Sequence, residues 1–183
     1  GDTAVYFAGK VGHEGHVFAF EPIKSTAEIT KTNMVVNKCD DIVEIVEMAL
    51  SDSDKKLYFA NNGSGSSAVD IKESDSAAID TAGLVTITAT SLDSFVQERG
   101  IKKVDFLKAN LEGADVDFVK GAMKTIQRDG PTCGLTVYHK PEDYVLIPKL
   151  LMEARNDYVF YFRCEAEPVV FAITKERLKQ CNS

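Results

Sequence analysis

The chain has 183 residues, a net charge of −7, 44% hydrophobic and 27% charged residues. That length fits one domain around one core, and that composition excludes wholesale disorder. The acidic balance argues against a broad nucleic-acid footprint, which needs clustered Lys and Arg. No apolar run approaches the roughly 20 residues of a membrane-spanning helix, and no signal peptide is visible. The four cysteines, Cys39, Cys133, Cys164 and Cys181, form no CxxC pair, and there are three histidines. No metal site is expected from that spacing, and the thiols read as reduced groups of a cytoplasmic protein. The chain starts at Gly1-Asp2-Thr3 without an initiator Met and reads as cut from something longer or processed.

Two hydrophobic periods alternate along the chain. Val17 to Phe20 is a short apolar strand that ends at Glu21-Pro22, where proline suits a strand end or a first helical turn. Ser25 to Val36 reads as a helix with Ile29, Met34 and Val35 toward a core. Ile42 to Leu50 and Lys56 to Ala60 read as strands. Residues 61–83 change texture: Asn61-Asn62-Gly63-Ser64-Gly65-Ser66-Ser67 is loop chemistry, and the stretch reads as an exposed mobile loop. Leu84 to Thr90 alternates like a strand, and Ser91 caps a short helix after it. Val104 to Lys108 reads as a buried strand, Glu112 to Gln127 as a helix, Gly134 to Tyr138 as a strand and Asp143 to Ala154 as a helix. Tyr158 to Arg163 and Val169 to Thr174 are two last strands, paired as an antiparallel hairpin. Strands alternating with helices predict a mainly parallel sheet covered on both faces, in one domain over residues 1–183.

Such sheets bind ligands at the carboxyl ends of their strands. Glu21 ends an apolar strand, where a carboxylate accepts hydrogen bonds from both hydroxyls of a ribose or, equally, favours the start of the next helix. Asn110 and Glu112 cluster at a second strand end. They serve either a ligand or the helix that follows, as cap and first-turn carboxylate. His139 follows Val137-Tyr138 and is a base, a metal ligand or a structural histidine. His13 and His16 flank glycines in a turn and read as surface groups.

Taken together, Gly15-His16-Val17-Phe18-Ala19-Phe20-Glu21-Pro22, Ala49-Leu50-Ser51-Asp52, Ser91-Leu92-Asp93, Phe106 to Asp115 (FLKANLEGAD), Lys120-Gly121-Ala122 and Tyr138-His139-Lys140-Pro141-Glu142-Asp143 resemble the FkbM-type methyltransferases, in order and spacing, across nearly the whole chain. The resemblance implies a Rossmann-like class I methyltransferase fold: an α/β three-layer sandwich with a mostly parallel sheet and an antiparallel C-terminal edge. It implies S-adenosylmethionine as cofactor and O-methylation of a small-molecule or glycan hydroxyl. Carried over, Glu21 binds the ribose, Met48 and Ala49 lie near the adenine, and Asn110 stands near the methionine end with Glu112 and His139 at the reaction centre. Gly1-Asp2 matches the end of the Gly-rich loop under the cofactor, Thr3 to Gly9 is the helix after it, and the first, central strand is expected to be missing. A rival local reading makes Ala4 to Ala8 a replacement strand.

The family usually has Asp where this chain has Asn110. An amide cannot act as a carboxylate base, so the alternative function is a catalytically weak or inactive methyltransferase-like binding domain. A nucleotide-dependent dehydrogenase is weaker still, because no GxGxxG is visible. No nucleic-acid or membrane partner is expected, and a homo-oligomer stays open.

Overall fold

The computed structural model describes residues 1–60, 68–69, 84–164 and 167–181. In chain order the elements are α1 (Asp2–Val11), β1 (Val17–Phe20), α2 (Lys24–Val36), β2 (Val43–Val46), β3 (Ala49–Ser51), β4 (Lys55–Ala60), β5 (Ala68–Val69), β6 (Leu84–Ser91), α3 (Leu92–Glu98), β7 (Phe106–Ala109), α4 (Asp115–Gly121), α5 (Met123–Asp129), β8 (Thr132–Thr136), α6 (Asp143–Ala154), β9 (Tyr158–Arg163), β10 (Val169–Thr174) and α7 (Lys175–Cys181). The loop read at 61–83 lies outside the described residues except for β5.

The strands form three hydrogen-bonded groups, β1-β2, β7-β8-β10-β9 and β3-β6-β4-β5. β1 and β2 are parallel, with Val17 opposite Val43. β7 and β8 are parallel, and β10 runs antiparallel to both β8 and β9. This is the antiparallel C-terminal edge that the sequence implies. Antiparallel pairing is not confined to that edge, however, because β4 also pairs antiparallel with β6 and β5. Among the described residues β1 and β7 each have a single strand partner. Phe7 of α1 packs on Phe106 of β7 with ring centroids 5.0 Å apart.

The principal core lies around β7, β8 and β10. It holds Leu107, Phe118, Val119, Ile126, Leu135, Val137, Ile147, Leu151 and Val170, all buried. A second cluster joins α1 and α2 to β1 and β2 through Ala4, Ala8, Met34, Ile42 and Val43. Apolar burial of this kind contributes about 25 cal/mol per Å² and is the main favourable contribution to folding.

Several expectations are corrected. Residues 2–11 are helical, so the rival strand at Ala4 to Ala8 is wrong. The alternation of buried Ala4 and Ala8 is one helical face. In α2 the inward stripe is Ala27, Thr30 and Met34, while Ile29 and Val35 are exposed. Two small or polar residues carry the packing face there, which hides it from a reading by hydrophobicity. The single strand read over Ile42 to Leu50 breaks at Glu47-Met48 into β2 and β3, which join different sheets. The buried strand read from Val104 begins only at Phe106 and alternates exposed and buried residues. The long helix read over Glu112 to Gln127 is two helices, α4 and α5, split at Ala122. Gly121 sits at the break because its backbone passes against the Ser51 carbonyl, where a Cβ would overlap.

Candidate active site

Two groups of strand-end residues stand out. The first surrounds Glu21. The Val46 carbonyl accepts from both Glu21 N (2.9 Å) and Met48 N (2.8 Å), which brings the end of β1 against the β2–β3 turn. The Glu21 side chain is half-buried, and among the described residues it has no hydrogen-bond or ion-pair partner. Burial pushes its carboxyl above the usual glutamate range. Ala49 follows as the first residue of β3. Gly1 and Asp2 begin α1 and are exposed. The Thr3 backbone N–H, then the N-terminal ammonium, hold the Asp2 carboxyl below its usual range.

The second group joins the carboxyl ends of β7 and β8. Asn110 leaves β7, and Glu112 and Gly113 then turn through positive φ values of 51° and 94°. That turn aims two backbone N–H groups inward, and Asp115, the first residue of α4, receives them. Asp115 Oδ1 accepts from Leu111 N (3.1 Å) and from Thr136 Oγ1 (3.0 Å). Its Oδ2 accepts from Gly113 N (3.3 Å) and faces His139 Nδ1 at 2.9 Å. Asp115 is 1% exposed, and these four contacts compensate its buried charge.

An ionised carboxylate only accepts hydrogen bonds. The His139 nitrogen that faces Asp115 therefore carries a proton, and in the neutral ring the lone pair is on Nε2. That Nε2 is buried and has no hydrogen-bond partner. The Glu112 carboxylate stands 3.7 Å from it and is itself mostly exposed. The ring of Tyr138 lies on the imidazole with centroids 4.3 Å apart.

Asn110 Nδ2 donates to Glu167 Oε2 (3.3 Å), and its Oδ1 lies 3.4 Å from Thr136 Oγ1, whose single proton goes to the nearer Asp115 Oδ1. Burial, then the charge of Glu167, pushes the Tyr138 phenol up. Neither Asn110 nor Glu112 is in α4, which starts at Asp115. Their alternative reading as helix cap and first-turn carboxylate is thus excluded.

The structure sets Glu112 3.7 Å from His139, with Asn110 two residues before Glu112 at the same strand end. It also brings Glu21 to Met48. It shows no hydrogen bond or ion pair between the two groups among the described residues. Sequence reading missed Asp115, Asp143 and Glu167. The signal for Asp115 was its place three residues after Glu112, across a glycine turn that points N–H groups at the helix start.

The methyltransferase FkbM domain model matches residues 1–174. The chain belongs to the FkbM methyltransferase family. The fold is similar to that of a methyltransferase FkbM from Methylobacillus flagellatus KT, with a TM-score of 0.66 and 14% identity over 93% of this chain and 41% of that one. The chain thus spans 41% of the length of that relative. It is also similar, with a TM-score of 0.47 and 15% identity, to a Clostridium thermocellum protein provisionally assigned as an rRNA-methylase, over 94% of this chain and 79% of that one. No curated protein matches the sequence. The chain has a mixed α/β, Rossmann-like fold, and no helix among its described residues is long and apolar enough to cross a membrane.

Proposed function

We propose that this FkbM domain transfers a methyl group from S-adenosylmethionine to a hydroxyl of a small molecule or glycan. The observation that carries this reading is the chain of contacts Glu112–His139–Asp115 at the β7 and β8 strand ends. It is a proton-accepting relay with an exposed entrance and a buried, fully hydrogen-bonded anchor.

Glu21 fits the cofactor. Its two carboxylate oxygens stand at a strand end with no hydrogen-bond partner among the described residues, as a ribose diol requires. Met48 and Ala49 would line the base beside it, and Gly1 and Asp2 at the start of α1 would stand under the remainder. When bound, the cofactor supplies an electrophilic methyl group on a sulfonium. The chain's own residues then have two tasks, to position the acceptor oxygen and to remove its proton.

Glu112 meets the acceptor first, because it is the exposed member of the relay. The acceptor proton passes to Glu112 Oε2 and from there to the Nε2 lone pair of His139, 3.7 Å away. Asp115 stabilises the imidazolium that forms and fixes which ring nitrogen carries the lone pair. Asn110, held by Glu167, orients the acceptor or the cofactor's amino group. Asp115 is a positioning residue, while Glu112 and His139 are the catalytic pair. The free thiols Cys39, Cys133 and Cys164 support a reducing, cytoplasmic setting.

The amide at Asn110 favours one alternative, a domain that binds the cofactor and transfers slowly or not at all. Both readings are tested by measuring methyl transfer to a panel of sugar and polyketide hydroxyls with the full-length protein and its Glu112→Gln and His139→Gln variants. The relay predicts that each variant loses about 10²-fold or more in kcat. Unchanged rates in both variants would rule the relay out. Cofactor binding without turnover on any acceptor would favour the binding domain.

A further inference from the structure

Asp143 is not used by the relay, yet it is placed against it. It opens α6 and is 1% exposed. Its Oδ2 accepts from Lys140 N at 3.0 Å, but its Oδ1 is buried with no partner. Asp115, His139 and Asp143 each present one ligand-type atom, and the three atoms lie within 4.8 Å of one another. Two ligands across one first-row divalent ion stand about 4 Å apart, so small side-chain movements close the set. Two buried carboxylates and an imidazole crowd one place, with Glu112 a third carboxylate at its rim and Lys140 the nearby cation. The Asp115 charge is compensated by its four contacts, but Asp143 Oδ1 has no partner; a buried charge left so is costly, and a divalent cation relieves it.

We propose that Asp115 Oδ2, His139 Nδ1 and Asp143 Oδ1 form a site for a first-row divalent metal ion. Two observations support it: the convergence of three ligand-type atoms, and a buried carboxylate oxygen, Asp143 Oδ1, left without a partner. The donor set, two oxygens and one imidazole nitrogen, suits Mn²⁺ or a neighbouring first-row ion better than Ca²⁺ or Mg²⁺, which prefer oxygen alone. The imidazole must give up its Nδ1 proton to bind. In the loaded form the ring proton moves to Nε2, where the Glu112 carboxylate accepts it. The loaded protein therefore lacks the Nε2 lone pair that proton transfer uses, so the ion acts as an inhibitor of the relay rather than as its helper. The existence of the site does not rest on methyl transfer, because metal binding is read without cofactor or acceptor.

The test is a titration of the full-length protein, freed of metal by chelation, with Mn²⁺ followed by electron paramagnetic resonance. The expected result is one ion bound per chain, with pulsed-resonance coupling to a histidine nitrogen. Asp143→Asn should weaken binding at least tenfold, since the amide oxygen still accepts the Lys140 N–H but offers the ion no charge. No binding by the wild-type protein, binding of equal strength by Asp143→Asn, or bound Mn²⁺ without nitrogen coupling overturns the proposal. Should Asp143→Asn not fold, the nitrogen coupling in the wild-type protein decides.

Discussion

Asp115, at the start of α4, and His139, after β8, meet at 2.9 Å beyond the ends of two neighbouring parallel strands, and the contact fixes the imidazole's tautomer. The carboxylate is itself fixed by two backbone N–H groups and a threonine hydroxyl. Asp115→Asn replaces an acceptor-only group by one that also donates, which permits the wrong tautomer. We expect kcat to fall by about 10²-fold or more with KM changed little, and Asp115→Glu to recover part of the loss. Melting of both variants by circular dichroism separates this from unfolding. A drop confined to KM, or a loss that follows melting temperature alone, contradicts the positioning role.

Glu21 gives a prediction in which binding and stability move in opposite directions. Burial raises its carboxyl pKa in the folded state. A raised carboxylate favours the folded state fully below its unfolded pKa of about 4.3, and that contribution is lost as pH rises through the higher folded value. At neutral pH the ionised, desolvated group therefore costs stability. Glu21→Gln should melt higher than wild type at pH 7, and the difference should vanish as pH falls below about 4. The same change should weaken S-adenosylhomocysteine binding by about tenfold or more, because hydrogen bonds to a charged group contribute about 1.5–3 kcal/mol. Unaltered binding removes Glu21 from the cofactor site.

Gly121 tests how β3 packs on α4. A Cβ there would overlap the Ser51 carbonyl oxygen, which is backbone and cannot swing aside. Gly121→Ala should destabilise by about 1–3 kcal/mol, the usual range for overpacking, in urea unfolding with an unchanged m-value. Gly9 has no neighbouring atom within reach of a Cβ, so Gly9→Ala in the last turn of α1 should be neutral or stabilising. Equal effects at the two glycines would contradict the packing described.

The thiols report on the core. Burial pushes the Cys133 thiol up to about 12, so its reactive thiolate is scarce at neutral pH. Cys39 is buried and Cys164 exposed. Maleimide labelling followed by peptide mapping should mark Cys164 within minutes and Cys133 only after unfolding. Early labelling of Cys133 would show that the β8–β10 core opens.

Much of this was legible in the sequence, and the failures have physical causes. Strand ends were readable because apolar runs stop at polar residues, which located Glu21, Asn110, Glu112 and His139. The relay's anchor was not readable, because Asp115 looks like any acidic residue in a first helical turn. Its role comes from a backbone turn at Glu112-Gly113 and from Thr136 and His139, which are distant in sequence. Asp143 was hidden in the same way, as a residue at a helix start. The burial of α2 was misread at Ile29 and Val35 because Ala27 and Thr30 form the contact stripe without strong hydrophobicity. The break in the Ile42 to Leu50 run was invisible because Val46, Met48 and Ala49 are all apolar on both sides of the turn.

The central claim is a cofactor-bound methyltransferase site anchored at Glu21. Isothermal calorimetry of the full-length protein with S-adenosylmethionine and S-adenosylhomocysteine tests it most directly. The account predicts binding of both ligands at one site per chain, weakened about tenfold or more by Glu21→Gln. Absence of binding to either ligand, or equal binding by wild type and Glu21→Gln, would contradict it.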